Sequence, residues 1–242
     1  MNLIIDVGNT YIKLAVFDGN ALIYRESFER NLLLDKLVAL SDKYAAISHC
    51  IISAVGIITE AQTKYLHKKY KVIYLTHQTK IPFINAYATP ETLGVDRIAL
   101  VSAAAAQYSK QNVLVIDAGS CITYDYLSGD NRYSGGAISP GLEMRYKAVH
   151  HFTAKLPLLE PKNKVSLVGD TTSNAIHSGI FNGVVYELDG FISSYREKYP
   201  DLTVILTGGD AHLLRVSLKN DIFANSNFLL EGLHYILELN KD

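Results

Sequence analysis

The sequence predicts an α/β fold made of two similar halves, on three observations. A strand–turn–strand phrase occurs twice, as LIIDVGNTYIKLAVFDG at 3–19 and as LVIDAGSCITYDYLSG at 114–129. After each copy, short apolar runs alternate with longer segments of helical periodicity. The chain has 242 residues, enough for one large domain or two small ones with a substantial core. The two copies lie 111 positions apart, from Asp6 to Asp117. That spacing places one α/β half at 1–110 and a second at 111–242, expected to face each other across a cleft of the kind that binds ligands.

The elements follow in order. Strands are expected near 2–7, 10–17 and 21–28, then a helix from about Leu32 to Tyr44 with leucines on one face. A buried strand at 47–54, a helix at 59–70 and a strand at 71–75 continue the alternation that a largely parallel sheet requires. The stretch 76–97 reads as irregular, punctuated by Pro82 and Pro90, and leads through ETLGVDR into the helix IALVSAAAAQY. In the second half, strands near 112–117 and 121–127 precede the glycine-rich SGGAISPG loop at 134–141 and a helix to about His150. Residues 153–167 read as a mobile loop. Thr172 is the expected N-cap of a long helix through Lys198. A strand at 202–206 runs into TGGD, and a final helix covers about 229–239.

Composition narrows the function. With 23 basic and 24 acidic residues the net charge is -1, so no basic field is present to attract a nucleic-acid backbone. Two cysteines, Cys50 and Cys121, make neither a disulfide framework nor a CxxC metal site and fit a reducing compartment. The start MNLIIDVGNT lacks the features of a signal peptide, and the longest apolar stretch is too short to span a bilayer. A cytoplasmic protein, binding neither membrane nor nucleic acid, is the expectation.

Chemistry is expected at the turns. Glycine at positions 8 and 119 lets successive amide N–H groups converge on one anion, and phosphate suits such a cradle. Asn9 and Thr10 in the first copy, with Ser120 and Thr123 in the second, add neutral donors. Asp6 and Asp117 would repel bare phosphate, so they point to a metal-nucleotide. A single Asp-x-Gly turn is commonly just a hairpin tip; two matched copies favour a ligand. Asp96 and Arg97 lie at a helix start behind Gly94, where an acid is usually a cap or dipole partner. Beside two phosphate-binding turns, this acid can instead take a proton from a substrate hydroxyl while the arginine holds the substrate. Gly135, Gly136, Pro140 and Gly141, and the pair Gly208 and Gly209, are weaker signals of backbone-rich loops. Neither a P-loop motif nor a G-x-G-x-x-G fingerprint occurs. The eight histidines show no metal-ligand spacing, Cys121 reads as a small filler, and Tyr87 stands out as a cleft residue in the irregular stretch.

Seven segments, taken together and in order, resemble one family closely: DVGNTYIK, GVDR, IDAGSCITYD, GGAISPG, TAKLPL, VGDTTSNAIHSGIFNG and LTGGD. The chain is similar to type III pantothenate kinases, within the actin-like superfamily of acetate and sugar kinases. The resemblance implies a duplicated actin-like (ribonuclease H-like) fold and phosphorylation of pantothenate by ATP, the first step of coenzyme A synthesis. It implies Mg2+ and a monovalent cation, K+ or ammonium. It further implies that Asp6, Val7, Gly8, Asn9, Thr10, Tyr11, Ile12 and Lys13 form the first phosphate loop, that Ser120 touches ATP and that Asp117 holds the monovalent cation. Asp96 would be the catalytic base, and Tyr87, Gly94, Val95, Asp96, Arg97 and Thr172 would contact pantothenate. Thr172 would come from the partner subunit of a homodimer. Ser120 stands where the family usually has Thr, which keeps the hydroxyl. The alternatives are a superfamily kinase acting on another small alcohol and an accessory regulator of transcription.

Overall fold

The structure is a computed structural model that describes residues 1–8, 11–163 and 165–241. It divides into two compact units, Met1–Gln107 together with the C-terminal segment from Asn227, and Tyr108–Ser226. The first contains β1 (Asn2–Val7), β2 (Tyr11–Asp18), β3 (Ala21–Glu29), α1 (Leu33–Lys43), β4 (His49–Ala54), α2 (Glu60–Lys69), β5 (Lys71–Tyr74), β6 (Ile84–Asn85) and α3 (Val95–Gln107). The second contains β7 (Val113–Ala118), β8 (Cys121–Leu127), β9 (Arg132–Pro140), α4 (Leu142–His151), α5 (Thr172–His177), α6 (Gly183–Lys198), β10 (Thr203–Thr207), α7 (Ala211–Leu214) and β11 (Phe223–Ala224). The last helix, α8 (Phe228–Leu239), returns to the first unit.

Both units repeat one topology. In the first the strand order is β3-β2-β1-β4-β5, and the same pattern recurs in the second as β9-β8-β7-β10-β11. In each, an antiparallel three-stranded meander comes first, and two strands parallel to its first strand follow. Parallel neighbours require helical crossovers, which α1 and α2 supply in the first unit. The central strands β1 and β7 are apolar runs because they are covered on both faces, and every residue of β1 is buried. Helix α1 buries Leu33, Leu37 and Leu40, the i, i+4, i+7 stripe its sequence predicts. Thr59 and Gln62 form a reciprocal capping box at the start of α2.

Four local features differ from the sequence reading. The glycine-rich segment 134–141 is mostly strand β9 and not a loop. Glycine is needed there because the strand passes so close to its neighbour that a Cβ at Gly136 would lie 1.6 Å from the Tyr124 carbonyl. Helix α3 begins at Val95, three residues before the apolar run, so Asp96 and Arg97 are in its first turn. The helix cap placed at Thr172 falls one residue earlier: the Thr171 hydroxyl accepts from the Asn174 amide, and Thr172 opens α5. The helical run to Lys198 is also interrupted at Ser178–Asn182 by a wider π turn.

Helix α8 was expected in the second half, yet it belongs to the first unit. Each repeat ends in a helix after its fifth strand, α3 in one and α8 in the other, and these two pack together. Helix α3 is buried all round from Arg97 to Ala104, and such a helix needs a partner. The approach is close: a Cβ on Gly232 would lie 1.9 Å from the Ala99 carbonyl and 3.2 Å from the Ala103 Cβ. At its other side α8 is tied to the sheet by the His234 ring, stacked 4.2 Å from Phe17. Asn2 Nδ2 lies 3.3 Å from His234 Nδ1 and also donates to Glu238. Among the described residues no helix is long and apolar enough to cross a membrane.

Because the obstacle at Gly232 is backbone rather than a movable side chain, Gly232→Ala is expected to destabilise the protein by about 1–3 kcal/mol, the usual range for overpacking. Thermal unfolding checks this, and an unchanged Tm would contradict the close helix contact.

Candidate active site

The first turn joins β1 to β2. Val7 faces Ile12 across the hairpin, and the Gly8 amide donates to the Tyr11 carbonyl at 3.1 Å. The side chains of Val7 and Ile12 are core, so only their backbone is available to a ligand. Tyr11 is exposed. Asn9 and Thr10 lie outside the described residues. The Val7 carbonyl accepts from the amides of Val55 and Gly56 at 3.2 and 3.3 Å, and Arg30 Nη2 donates to the Gly8 carbonyl at 2.7 Å.

Asp6 precedes this turn and is only 7% exposed. It faces Lys13 on β2 and Ser53 on β4. Burial pushes its carboxyl up from 3.8 to about 6, opposed by the Lys13 charge, reinforced by the negative charge of Asp96 and opposed again by a hydrogen bond from Ser53. Lys13 Nζ lies 3.8 Å from Asp6 Oδ2 and is substantially exposed, so the pair is loose.

Asp96 reaches the neighbourhood of Asp6 from the start of α3. Its Oδ1 accepts from the Arg97 amide at 2.9 Å, and a Cβ at Gly94 would come within 2.4 Å of that same oxygen. Gly94 therefore makes room for the carboxylate to fold back over the helix start. Val95 is half-buried beside it. Arg97 is buried, with its guanidinium carbon 5.8 Å from the centre of the Tyr87 ring, and Tyr87 is anchored by its amide donating to Asn85 Oδ1 at 3.1 Å. The first unit thus gathers Asp6, Lys13 and Asp96, and pairs Tyr87 with Arg97. Ser53 escaped the sequence reading, although a serine ending an apolar strand was a signal; Arg30 gave none.

The second turn, in the other unit, is one residue shorter. Ala118 faces Ile122, and residues 119–121 close it, with the Gly119 amide donating to the Cys121 carbonyl at 3.0 Å. Ser120 is exposed, and its carbonyl accepts from the Gly141 amide at 3.2 Å. Asp117 is half-buried against Gly208, where φ is +96° and a Cβ would come within 2.4 Å of Asp117 Oδ1. Asp210 caps this corner, its amide donating to the Ala118 carbonyl at 2.9 Å; burial raises its pKa.

The two acids differ in what faces them. Opposite Asp6 stands a lysine; opposite Asp117 stands Thr123, whose buried hydroxyl has no hydrogen-bond partner among the described residues. A carboxylate beside a hydroxyl with no partner is a donor set that suits a hard cation. Among the described residues no three His, Cys, Asp or Glu side chains cluster as metal ligands, so a divalent ion here would draw its remaining ligands from phosphate and water. Thr172 is exposed at the start of α5 in the second unit.

Comparison with known proteins agrees over the whole chain. The family model for type III pantothenate kinase matches residues 2–194. A type III pantothenate kinase of Christiangramia forsetii is 53% identical over 241 residues, covering 100% of this chain and 99% of that protein. One from Flavobacterium johnsoniae is 49% identical, covering 96% of each. Among solved structures, a Baf family transcriptional activator from Campylobacter jejuni aligns with a TM-score of 0.63 at 22% identity, covering 98% of each chain. A 2-dehydro-3-deoxygalactonokinase from Sinorhizobium meliloti aligns at 0.59 and 13% identity, covering 99% of this chain and 97% of that one. These likenesses show the duplicated actin-like fold.

Asp6 gives a pH signature. Its folded pKa lies above its unfolded value, so the stability its proton contributes is complete below about pH 4 and is lost as pH rises through about 6. Ionised Asp6 therefore weakens the ligand-free protein by about 3 kcal/mol at neutral pH. Asp6→Asn is expected to melt higher than the parent at pH 7 and to lose that advantage at pH 4. A Tm difference independent of pH would contradict it.

Proposed function

The chain belongs to the type III pantothenate kinase family, and from that premise we propose that it uses ATP to phosphorylate the primary hydroxyl of pantothenate, giving 4′-phosphopantothenate in the cytoplasm. The observation that carries the reading is the carboxylate of Asp96, held at a helix start by the Arg97 amide and the missing Cβ of Gly94, within electrostatic reach of Asp6.

In this reading Asp96 accepts the proton of the pantothenate hydroxyl as its oxygen bonds to the γ-phosphorus of ATP. The bond from that phosphorus to the bridging oxygen breaks, and ADP leaves with the electron pair. Phosphoryl transfer asks for alignment and charge compensation more than for covalent chemistry. Arg97, Tyr87 and the backbone at Gly94 and Val95 orient the acceptor. The first turn, from Asp6 to Lys13, binds the nucleotide. Lys13 brings positive charge to the phosphates.

Asp6 is the natural neighbour of Mg2+: a buried acid with a raised pKa gains from a divalent charge. When bound, that ion neutralises phosphate charge in the transition state. Asp117, with the Thr123 hydroxyl, suits K+ or ammonium. The enzyme is proposed to act as a homodimer in which Thr172 of the partner subunit completes the pantothenate pocket.

Coupled measurement of ADP release tests the assignment. Pantothenate is expected to drive turnover, and potassium to raise it; ATP consumption indifferent to pantothenate would sink the reading. Asp96→Asn is expected to fold normally and to lose about 10²- to 10⁴-fold in kcat, the usual size of a general-base contribution. Near-normal turnover by that variant would remove Asp96 from the role.

A further inference from the structure

Arg30 follows strand β3 directly, and because Glu29 pairs with Tyr11 across the sheet, its side chain starts beside the residues that close the first turn. Its Nη2 donates to the Gly8 carbonyl at 2.7 Å. Among the described residues its buried Nε has no hydrogen-bond partner and Arg30 forms no ion pair. The guanidinium fills the space beside Gly56: a Cβ there would be 2.1 Å from Nη2 and 2.6 Å from Cζ. The Gly56 amide in turn donates to the Val7 carbonyl, so arginine, glycine and turn form one packed corner.

An arginine stays charged at all relevant pH, and partly burying it without a counter-charge is unfavourable. Such an arrangement persists where the charge serves a bound anion or fixes the backbone around one. Here the guanidinium does the second directly, by gripping the carbonyl of the glycine that opens the turn. Lysine lacks the fork of N–H donors by which Nη2 reaches the Gly8 carbonyl with the rest of the guanidinium beside Gly56.

We propose that Arg30 is a positioning residue of the first phosphate turn, holding Gly8 so that the turn is preformed for the phosphates of a nucleoside triphosphate. The inference rests on the reading of this turn as the nucleotide site, and Lys13→Ala is included to separate the two. Steady-state kinetics would be measured with ATP and pantothenate varied in turn, alongside thermal melts, for Arg30→Ala, Arg30→Lys, Gly56→Ala and Lys13→Ala.

Arg30→Ala is expected to raise KM for ATP about tenfold, the worth of one charged hydrogen bond, with KM for pantothenate unchanged. Added guanidinium ion should restore part of the loss in that variant, and Arg30→Lys should recover little. Gly56 holds a backbone conformation outside the left-handed region, so Gly56→Ala is tolerated by the chain and displaces the guanidinium without deleting its charge. It is expected to shift KM for ATP in the same direction, and it carries the test should Arg30→Ala fail to fold. A folded Arg30→Ala with unchanged KM for ATP, or with both KM values raised alike, overturns the proposal. If Lys13→Ala raises KM for ATP while the arginine and glycine variants do not, the nucleotide site stands and Arg30 has no part in it. If none of them moves it, both readings fall.

Discussion

A buried carboxylate at the end of a buried strand organises the first unit. Asp6 interrupts a run of apolar residues covered on both faces, so its carboxylate is held in a strand whose every residue is buried, one position before the turn. Burial disfavours its charge, Asp96 disfavours it further, and Lys13 and Ser53 only partly offset this. An unliganded protein gains nothing from such a group. Under the proposed function it belongs to a site completed by a cation and phosphate. The close packing of α8 on α3 belongs to the same arrangement, because α3 carries Asp96 and Arg97 in its first turn.

Much of this was legible before any coordinates. The repeated phrase is visible because strand, acid and glycine are local features, and the two meanders it opens are what the alternation of apolar runs requires. Helix α1 announced itself by its leucine stripe. The placement of α8 was hidden, since an apolar helix says that it is buried but not against what. The glycines of β9 were read as loop because the sequence cannot show that a neighbouring strand passes within touching distance. The cap at Thr171 and the start of α3 at Val95 were missed by the usual margin at helix ends, where adjacent polar residues compete for one role. Arg30 and Ser53 join the turn only through tertiary proximity.

The duplication also shows how two copies of one motif diverge. Across from the acid, one copy keeps a lysine and the other a threonine; one turn has four residues and the other three. In the first, a partly exposed lysine stands loosely beside the acid. In the second, the turn is shorter, the acid is pressed against Gly208, and the hydroxyl opposite it has no partner among the described residues. The copies thus differ in a few side chains and one turn residue while the strand order is kept.

The π turn at Ser178–Asn182 has a geometric corollary. Helical residues succeed one another by about 100° around the axis, so a single surplus residue swings everything upstream of it by that angle relative to the packed face of α6. The azimuth of Thr172 is therefore tied to the wider turn. Taking one residue out of that turn would keep the core downstream while aiming the head of the helix at a different neighbour.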